Sequence, residues 1–310
     1  IYLDSFLDLR NKNIIVTGGA SGLGEALALE FLKKDANVLI SDINSKNLKI
    51  TANKLECEFE YCDVSKEKDV QNLVEKVFKR FGHIDIFCSN AGVVSNSKKI
   101  NFIEENNCWK NTLNVNLMSH VYAAKYVLPN MINRNQGYFL QIISAAALLS
   151  QIGDAAYSAS KSAALSFAES LAINNGHLGI KVSAVCPQYI ATPMLGMDED
   201  NFTKNKNLIS TQTAARRIIK GLIEERFLIF TDNKTNKLFK KKSENYESWI
   251  IGMQKLKQKI LDETGDLKIN TVYKFLKNWF SKNPRIFKLS SIEIIINTNP
   301  YIYLNSVSFW

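Results

Sequence analysis

The stretch AAYSASKSAAL, residues 155–165, places Tyr157 and Lys161 four positions apart among small residues. A free phenol titrates near ~10 and a lysine ammonium near ~10.4, so neither is a useful proton carrier at neutral pH alone. On one helix, positions i and i+4 share a face. A cation beside a phenol favours the phenolate, so the pair predicts a tyrosine with a lowered pKa that can donate or accept a proton. Taken alone, the stretch reads more readily as a solvated lysine one turn after a helix tyrosine. The elements that would have to position the pair decide between these readings.

Those elements alternate. Apolar runs predict strands at NIIVT (13–17), NVLISD (37–42), EFEYCD (58–63), IDIFCSN (84–90), YFLQIIS (138–144), IKVSAVCP (180–187) and RFLIFTD (226–232). Helical periodicity falls at EALALEFLKK (25–34), 66–81, one long segment 108–132, 155–175 and 211–225. Strands alternating with helices predict an α/β, doubly wound parallel sheet of about seven strands covered on both faces. Such sheets bind ligands at the carboxyl ends of their strands, where the residues below all fall. Residues 188–210 break the rhythm and predict a lid over those ends.

TGGASGLG (17–24) leaves the first strand and opens the first helix. Gly18, Gly22 and Gly24 stand where a backbone must turn tightly and approach a pyrophosphate, with free N–H groups at the helix start. Asp42 closes the second strand, 18 residues beyond Gly24. A carboxylate there accepts hydrogen bonds from ribose hydroxyls and repels a 2′-phosphate. No Arg or Lys lies between Thr17 and Gly24, and Ile43 follows Asp42, so NAD is expected in preference to NADP.

Together these motifs resemble the short-chain dehydrogenase/reductase family in its common single-domain form, over about residues 8–232. TGGASGLG matches the family's glycine turn, NAG (90–92) follows the fourth strand, NVN (114–116) carries its helix asparagine, and YSASK its tyrosine and lysine. Ser144 ends the fifth strand, and CPQYIAT (186–192) matches the post-strand proline loop. Gln188 stands where the family usually has glycine, and Ala147 fills another glycine position. The resemblance implies a Rossmann fold and a catalytic set of Asn116, Ser144, Tyr157 and Lys161. It implies cofactor contacts from Gly18, Ser21, Gly22, Leu23, Gly24, Asp42, Ile43, Asp63, Val64, Asn90, Ala91, Gly92, Tyr157, Lys161, Pro187, Ile190 and Thr192.

The implied reaction interconverts an alcohol and a ketone or aldehyde. Tyr157 would be the general acid and base, Ser144 a donor to the substrate oxygen, and Asn116 the holder of a relay water. An epimerase or dehydratase on the same scaffold, or a catalytically silent nucleotide-binding regulatory protein, is the alternative. Leu148, Leu149, Gln151, Ile152, Asp154, Gln188, Tyr189, Met194 and Leu195 would line a largely apolar substrate pocket. A homodimer or homotetramer is expected.

Composition narrows the class further. At 46% apolar residues the chain can bury a core, which excludes a disordered protein. No apolar run reaches the ~18 residues of a membrane span. The opening IYLDSFLDLRNKN has no basic stretch followed by an apolar one, so no secretory leader is expected. Five scattered cysteines (57, 62, 88, 108, 186) and three isolated histidines (83, 120, 177) predict a reduced, cytoplasmic, metal-free protein.

The net charge of +9 sits almost wholly in the tail: residues 233–310 hold 14 of the 39 basic and 6 of the 30 acidic residues. Nucleic-acid binding by the main domain is therefore not expected. A dehydrogenase domain over 1–232 and a basic, mostly helical extension over 233–310 are expected. In the extension KLFKKK reads as a solvated charge run. Trp249, Ile250, Met253, Leu256 and Ile260, and then Val272, Phe275, Leu276, Trp279 and Phe280, recur at helical spacing. These faces predict docking on the enzyme or a partner subunit, with peripheral membrane contact as the alternative. SIEIIINTNPYIYLNSVSFW (291–310) reads as strand-like.

Asp42 offers the first test. If its carboxylate selects NAD(H), wild-type kcat/KM will favour NAD(H) over NADP(H), and Asp42→Ala will narrow that gap. A wild type that prefers NADP(H) rejects the assignment.

Overall fold

The computed structural model describes residues 7–95, 106–192 and 209–282. Seven strands form one sheet in the order β3-β2-β1-β4-β5-β6-β7. They are β1 (Asn13–Thr17), β2 (Asn37–Asp42), β3 (Glu58–Tyr61), β4 (Ile86–Ser89), β5 (Gly137–Ile142), β6 (Ile180–Val185) and β7 (Leu228–Ile229). Every pairing is parallel. The order reverses between β1 and β4, which makes that edge the topological switch point.

The strands feed two cores through their two-residue period. Ile15, Phe87 and Phe139 point to one face, and Ile14, Val16, Ile86, Cys88, Tyr138 and Leu140 to the other. On the first face lie α3 (Glu67–Phe81), α5 (Ser119–Asn133) and α7 (Ala155–Asn175). On the second lie α1 (Gly22–Leu32), α2 (Ser45–Leu55) and α8 (Thr211–Ile223). The order of chain elements therefore matches the doubly wound expectation, and β7 is much shorter than residues 226–232 suggested.

Three features depart from the sequence reading. The helix α2 was not expected: its apolar positions are few, and Asn44 caps it by accepting from Asn47 N at 3.1 Å. The single helix expected over 108–132 is divided into α4 (Asn106–Leu113), a π-helical turn (Asn114–Met118) and α5. A short α6 (Ala146–Leu149) precedes α7. The expected lid over 188–210 lies mostly outside the described residues, as do Met194, Leu195 and the strand-like segment 291–310.

The described part of the extension, to residue 282, is helical: α9 (Asn233–Glu244), α10 (Tyr246–Thr264) and α11 (Ile269–Lys282). It is not a solvated appendage. Lys242, from the run expected to be solvated, is buried, and its Nζ donates to Leu148 O at 2.7 Å. Burial of this ammonium is offset by that charge-assisted bond and by the ring of Tyr246, 4.9 Å away. Trp249 is buried in the same core as α3, α5 and α7. Ile260, Leu267, Val272 and Phe275 form a smaller cluster against Ile152. Ile250, expected on the inner face, is exposed together with Ile251. The side chains of Trp279 and Phe280 lie outside those described.

If Trp249 anchors the extension, Trp249→Ala will destabilise the whole protein by about 3 kcal/mol, the usual cost of emptying a large core site. Urea unfolding of full-length protein measures this. A change within about 0.5 kcal/mol, typical of surface positions, would contradict the anchor.

Candidate active site

Two pieces of chain meet at the switch point. The first is the glycine turn after β1. Gly18 has φ +64° and lies against β4's continuation, where an added Cβ would come within 2.9 Å of Ala91 Cα. A Cβ on Gly24 would collide with the carbonyl of Gly18. Ser21 precedes α1 without capping it by its side chain, so the first-turn N–H groups have no side-chain acceptor there. That combination fits an anionic ligand approaching the backbone.

Asn90 holds this turn from behind. Its Nδ2 donates to Thr17 O at 2.9 Å and Gly18 O at 3.1 Å, while Thr17 Oγ1 accepts from the N–H groups of Asn90 and Ala91. The side chain of Asn90 therefore positions the turn. Asp42 ends β2 with Oδ2 accepting from Ala20 N at 3.1 Å and Oδ1 from Asn44 N at 2.9 Å. Ile43 beside it is 60% exposed at the strand ends. Asp63 binds Ser65 and Lys66, and Val64 is buried in the core. Leu23 is buried at the start of α1.

The second piece is α7, which presents Tyr157 and Lys161. Asp154 caps it: Oδ1 accepts from Tyr157 N at 2.9 Å and Oδ2 from Ser95 N at 3.0 Å. Asp154, expected to line the substrate pocket, is buried and committed to this cap. The small residues of α7 let it lie close to its neighbours: Ala156, Ala164 and Ala168 have no exposed surface.

Lys161 is 3% exposed, and its Nζ donates to Ile142 O at the end of β5 at 3.2 Å. Nζ stands 5.9 Å from the centre of the Tyr157 ring. Ser144 follows β5, is buried, and hydrogen-bonds Tyr157. Ser144 Oγ accepts from Ala146 N at 3.1 Å, which leaves its hydrogen to donate.

Asn116 sits in the π-helical turn with no exposed surface. Its Nδ2 donates to Val93 O at 2.8 Å and to Ser160 Oγ at 3.0 Å, and its Oδ1 accepts from Val93 N at 2.9 Å. Ser160 in turn donates to Tyr157 O at 2.8 Å. An added Cβ on Gly92 would stand 3.3 Å from both Asn116 Oδ1 and Lys161 Nζ, so the three residues meet at one point. Ser160 and Thr17 are positioning residues that sequence reasoning missed, and Asp154, expected in the pocket, is a third; only the Asp before the helix start carried a readable signal, as a cap.

The electrostatics differ from the sequence expectation. Burial pushes the Tyr157 phenol up to about 12, against the hydrogen bond from Ser144 that favours its anion. Burial also pushes Lys161 down to about 8. In the protein by itself, desolvation therefore outweighs any acidification of the phenol by Lys161. His120 is fully buried on α5 and is pushed down to about 3 by burial, with the charge of Lys161 adding to the effect. It therefore adds no second cation behind Lys161.

Pro187 and Ile190 are buried after β6, Ile190 bridges to Ile209, and Thr192 is partly exposed. Tyr189, in the same loop, packs against Tyr273 of α11. Among the described residues no helix is long and apolar enough to cross a membrane, and no three His, Cys, Asp or Glu gather as a metal site.

Comparison with known proteins agrees with this architecture. The short chain dehydrogenase family model matches residues 12–201. The chain is 33% identical over 230 residues to epidermal retinol dehydrogenase 2 of Mus musculus, covering 70% of this chain and 72% of that protein. It is 30% identical over 233 residues to 1-deoxy-11-beta-hydroxypentalenate dehydrogenase of Streptomyces avermitilis, covering 73% of this chain and 86% of that one. The crystal structure of a short chain dehydrogenase/reductase from Burkholderia phymatum in complex with NAD has the same fold. It superposes with a TM-score of 0.70 at 22% identity, over 78% of this chain and 96% of that one. With the switch-point turn, the buried Tyr157–Lys161 pair and these likenesses in hand, the chain belongs to the short-chain dehydrogenase/reductase family of oxidoreductases.

Proposed function

We propose that the protein is an NAD-dependent enzyme that interconverts an alcohol and a ketone or aldehyde, with Tyr157 as general acid and base. The observation that carries this reading is the convergence of Ser144, Tyr157 and Lys161 at the carboxyl end of β5, beside the glycine turn. The uncapped start of α1 and the absence of room for a Cβ at Gly18 and Gly24 fit a dinucleotide's pyrophosphate. Asp42 and Ile43 would hold the adenosine ribose, and Asp63 and Val64 the adenine. Asn90, Ala91, Gly92, Tyr157, Lys161, Pro187, Ile190 and Thr192 would flank the nicotinamide half. The acidic Asp42, with no basic residue in the turn, supports NAD over NADP.

A bound nicotinamide supplies or accepts the hydride at the reacting carbon. The chain's own residues manage the oxygen and its proton. Ser144 donates a hydrogen bond to the substrate oxygen as negative charge grows there. Tyr157 gives that oxygen its proton in reduction and takes it back in oxidation. A phenol held near 12 keeps its proton at neutral pH in the protein by itself and so has one to donate. Lys161 places its charge beside the ring and opposes the phenolate's desolvation cost. Asn116 Oδ1 has two lone pairs and gives one to Val93 N, so the second is the group that would hold a relay water.

Two measurements test this. Tyr157→Phe keeps the ring and removes the proton, so turnover of a ketone panel with NADH should fall by ~10²-fold or more, with NADH binding retained. Near-normal turnover in a folded sample would refute the role.

The second is a pH profile. Lys161 is charged below its pKa of about 8 and neutral above it, while Tyr157 keeps its proton up to about 12. Reductive kcat/KM should therefore be flat below pH 8 and fall as pH rises through 8. The limb near 8 should vanish in Lys161→Met. Its persistence there would assign it to another group.

A further inference from the structure

Lys161 is a buried ammonium without a counter-ion. Among the described residues no carboxylate pairs with it, and of its three N–H donors one is spent, on Ile142 O. The titratable groups around it are Cys186 after β6, His120 on α5 and Tyr157 on α7. Burial pushes the Cys186 thiol and the Tyr157 phenol up to about 12, so neither supplies a negative charge at neutral pH. A charge taken out of water with no ion to face must be held by neutral dipoles.

Unspent dipoles stand between the sheet and α5. Gln141 precedes Ile142 on β5, and Ser89 on β4 is its register partner. By the two-residue period both point as Phe87 and Phe139 do, into the core that α5 covers. Gln141 and His120 have no exposed surface, and Ser89 is buried. Both ring nitrogens of His120, both amide atoms of Gln141 and Ser89 Oγ lack a hydrogen-bond partner among the described residues. Gln141 is near enough to act on His120, without an aligned bond between them. Five buried polar atoms left unspent in one place are a cost that three apolar side chains would avoid. His120 is neutral, because burial pushes it down to about 3. Its ring therefore has one N–H and one bare acceptor nitrogen, and the amide of Gln141 has an acceptor oxygen. Either acceptor can turn toward a cation.

We infer that His120 and Gln141 are positioning residues for Lys161, whose orientable dipoles keep its ammonium charged where no carboxylate does. The effect on turnover rests on the proposed proton chemistry at Tyr157; the effect on Lys161 itself does not. A carboxylate in their place would hold the cation more strongly, but it would also pair with it and pull it from the Tyr157 ring. Neutral dipoles leave the charge free to act there. The sign follows. Replacing either dipole by an apolar group makes the surroundings of Lys161 drier, so the ammonium gives up its proton at lower pH. A pair that served only to fill space would change stability and leave that pH where it is.

The test titrates Lys161 directly. Full-length protein is prepared with isotope-labelled lysine, and Lys161 is the NMR resonance that disappears in Lys161→Met. His120→Leu and Gln141→Leu exchange a dipole for apolar bulk, and each should lower the pH at which Lys161 titrates by about one unit or more. His120→Gln puts an amide back and should titrate within about 0.3 unit of wild type. The falling limb of reductive kcat/KM should move with the NMR titration in every variant. If one leucine variant does not fold, the other carries the comparison. A titration that stays within about 0.3 unit of wild type in the leucine variants, or that moves as far in His120→Gln as in His120→Leu, gives the pair a packing role and overturns the inference. If the titration moves as expected and the kinetic limb does not follow, the positioning stands and the proposed role of Lys161 in turnover fails.

Discussion

The arrangement depends on burying one ammonium. Lys161 is 3% exposed in the centre of the molecule, and taking a charge out of water is costly unless it is held by polar groups. The chain meets this with geometry. The carbonyl of Ile142 accepts from it where β5 ends. The π-helical turn presents Asn116 beside it, and a Cβ on Gly92 would press on both at 3.3 Å. The alanines of α7 allow the helix to sit close enough for all of this. The remaining cost shows in the lowered pKa of Lys161 and the raised pKa of Tyr157, which share desolvation as their largest cause.

The phosphate end rests on a different device. Gly19 N and Ala20 N are spent on Ser41 O and Asp42 Oδ2, while the N–H groups that open α1 have no side-chain cap. Asn90 and Thr17 supply the missing constraint from the neighbouring strand, spending side-chain bonds on the carbonyls of Thr17 and Gly18 and on the N–H groups of residues 90 and 91. The same division recurs at α7, where Asp154 caps the helix and fixes Ser95, while the phenol of Tyr157 hydrogen-bonds Ser144.

The described part of the extension packs on α6, on the main core and on the loops at Gly153 and Tyr189. Lys242 reaches the carbonyl of Leu148 in α6, and Trp249 enters the main core. Both anchors lie before the segment that reaches Gly153 and Tyr189. The buried Trp249 gives the helices that follow it a fixed base on the main core. The exposed Ile250 and Ile251 lie on α10's outer face, and the described structure shows no cover for them.

Much of this was legible in residue types and spacing. Strand–helix alternation, the glycine turn, Asp42 and the Tyr157–Lys161 pair are local patterns, and local patterns carry period and spacing. They led to the doubly wound parallel sheet and to the strands and the helix α7 that carry most of the site. What period cannot carry is burial. Asn114–Met118 looks helical by spacing, and in the fold it is a π-helical segment whose Asn116 bonds Val93 after β4 and Ser160 of α7. Lys242 belongs to a charge run whose neighbours are solvated, yet a carbonyl 94 residues away takes it inside. Ile250 has the spacing of an inner residue and faces out. The pKa values follow the same rule: four residues of separation put Lys161 beside Tyr157, while the surrounding fold removed the water and so decided which way each would shift. The sequence by itself determined which groups would meet and in what order along the sheet. The tertiary structure decided how dry they are, and dryness sets their charge.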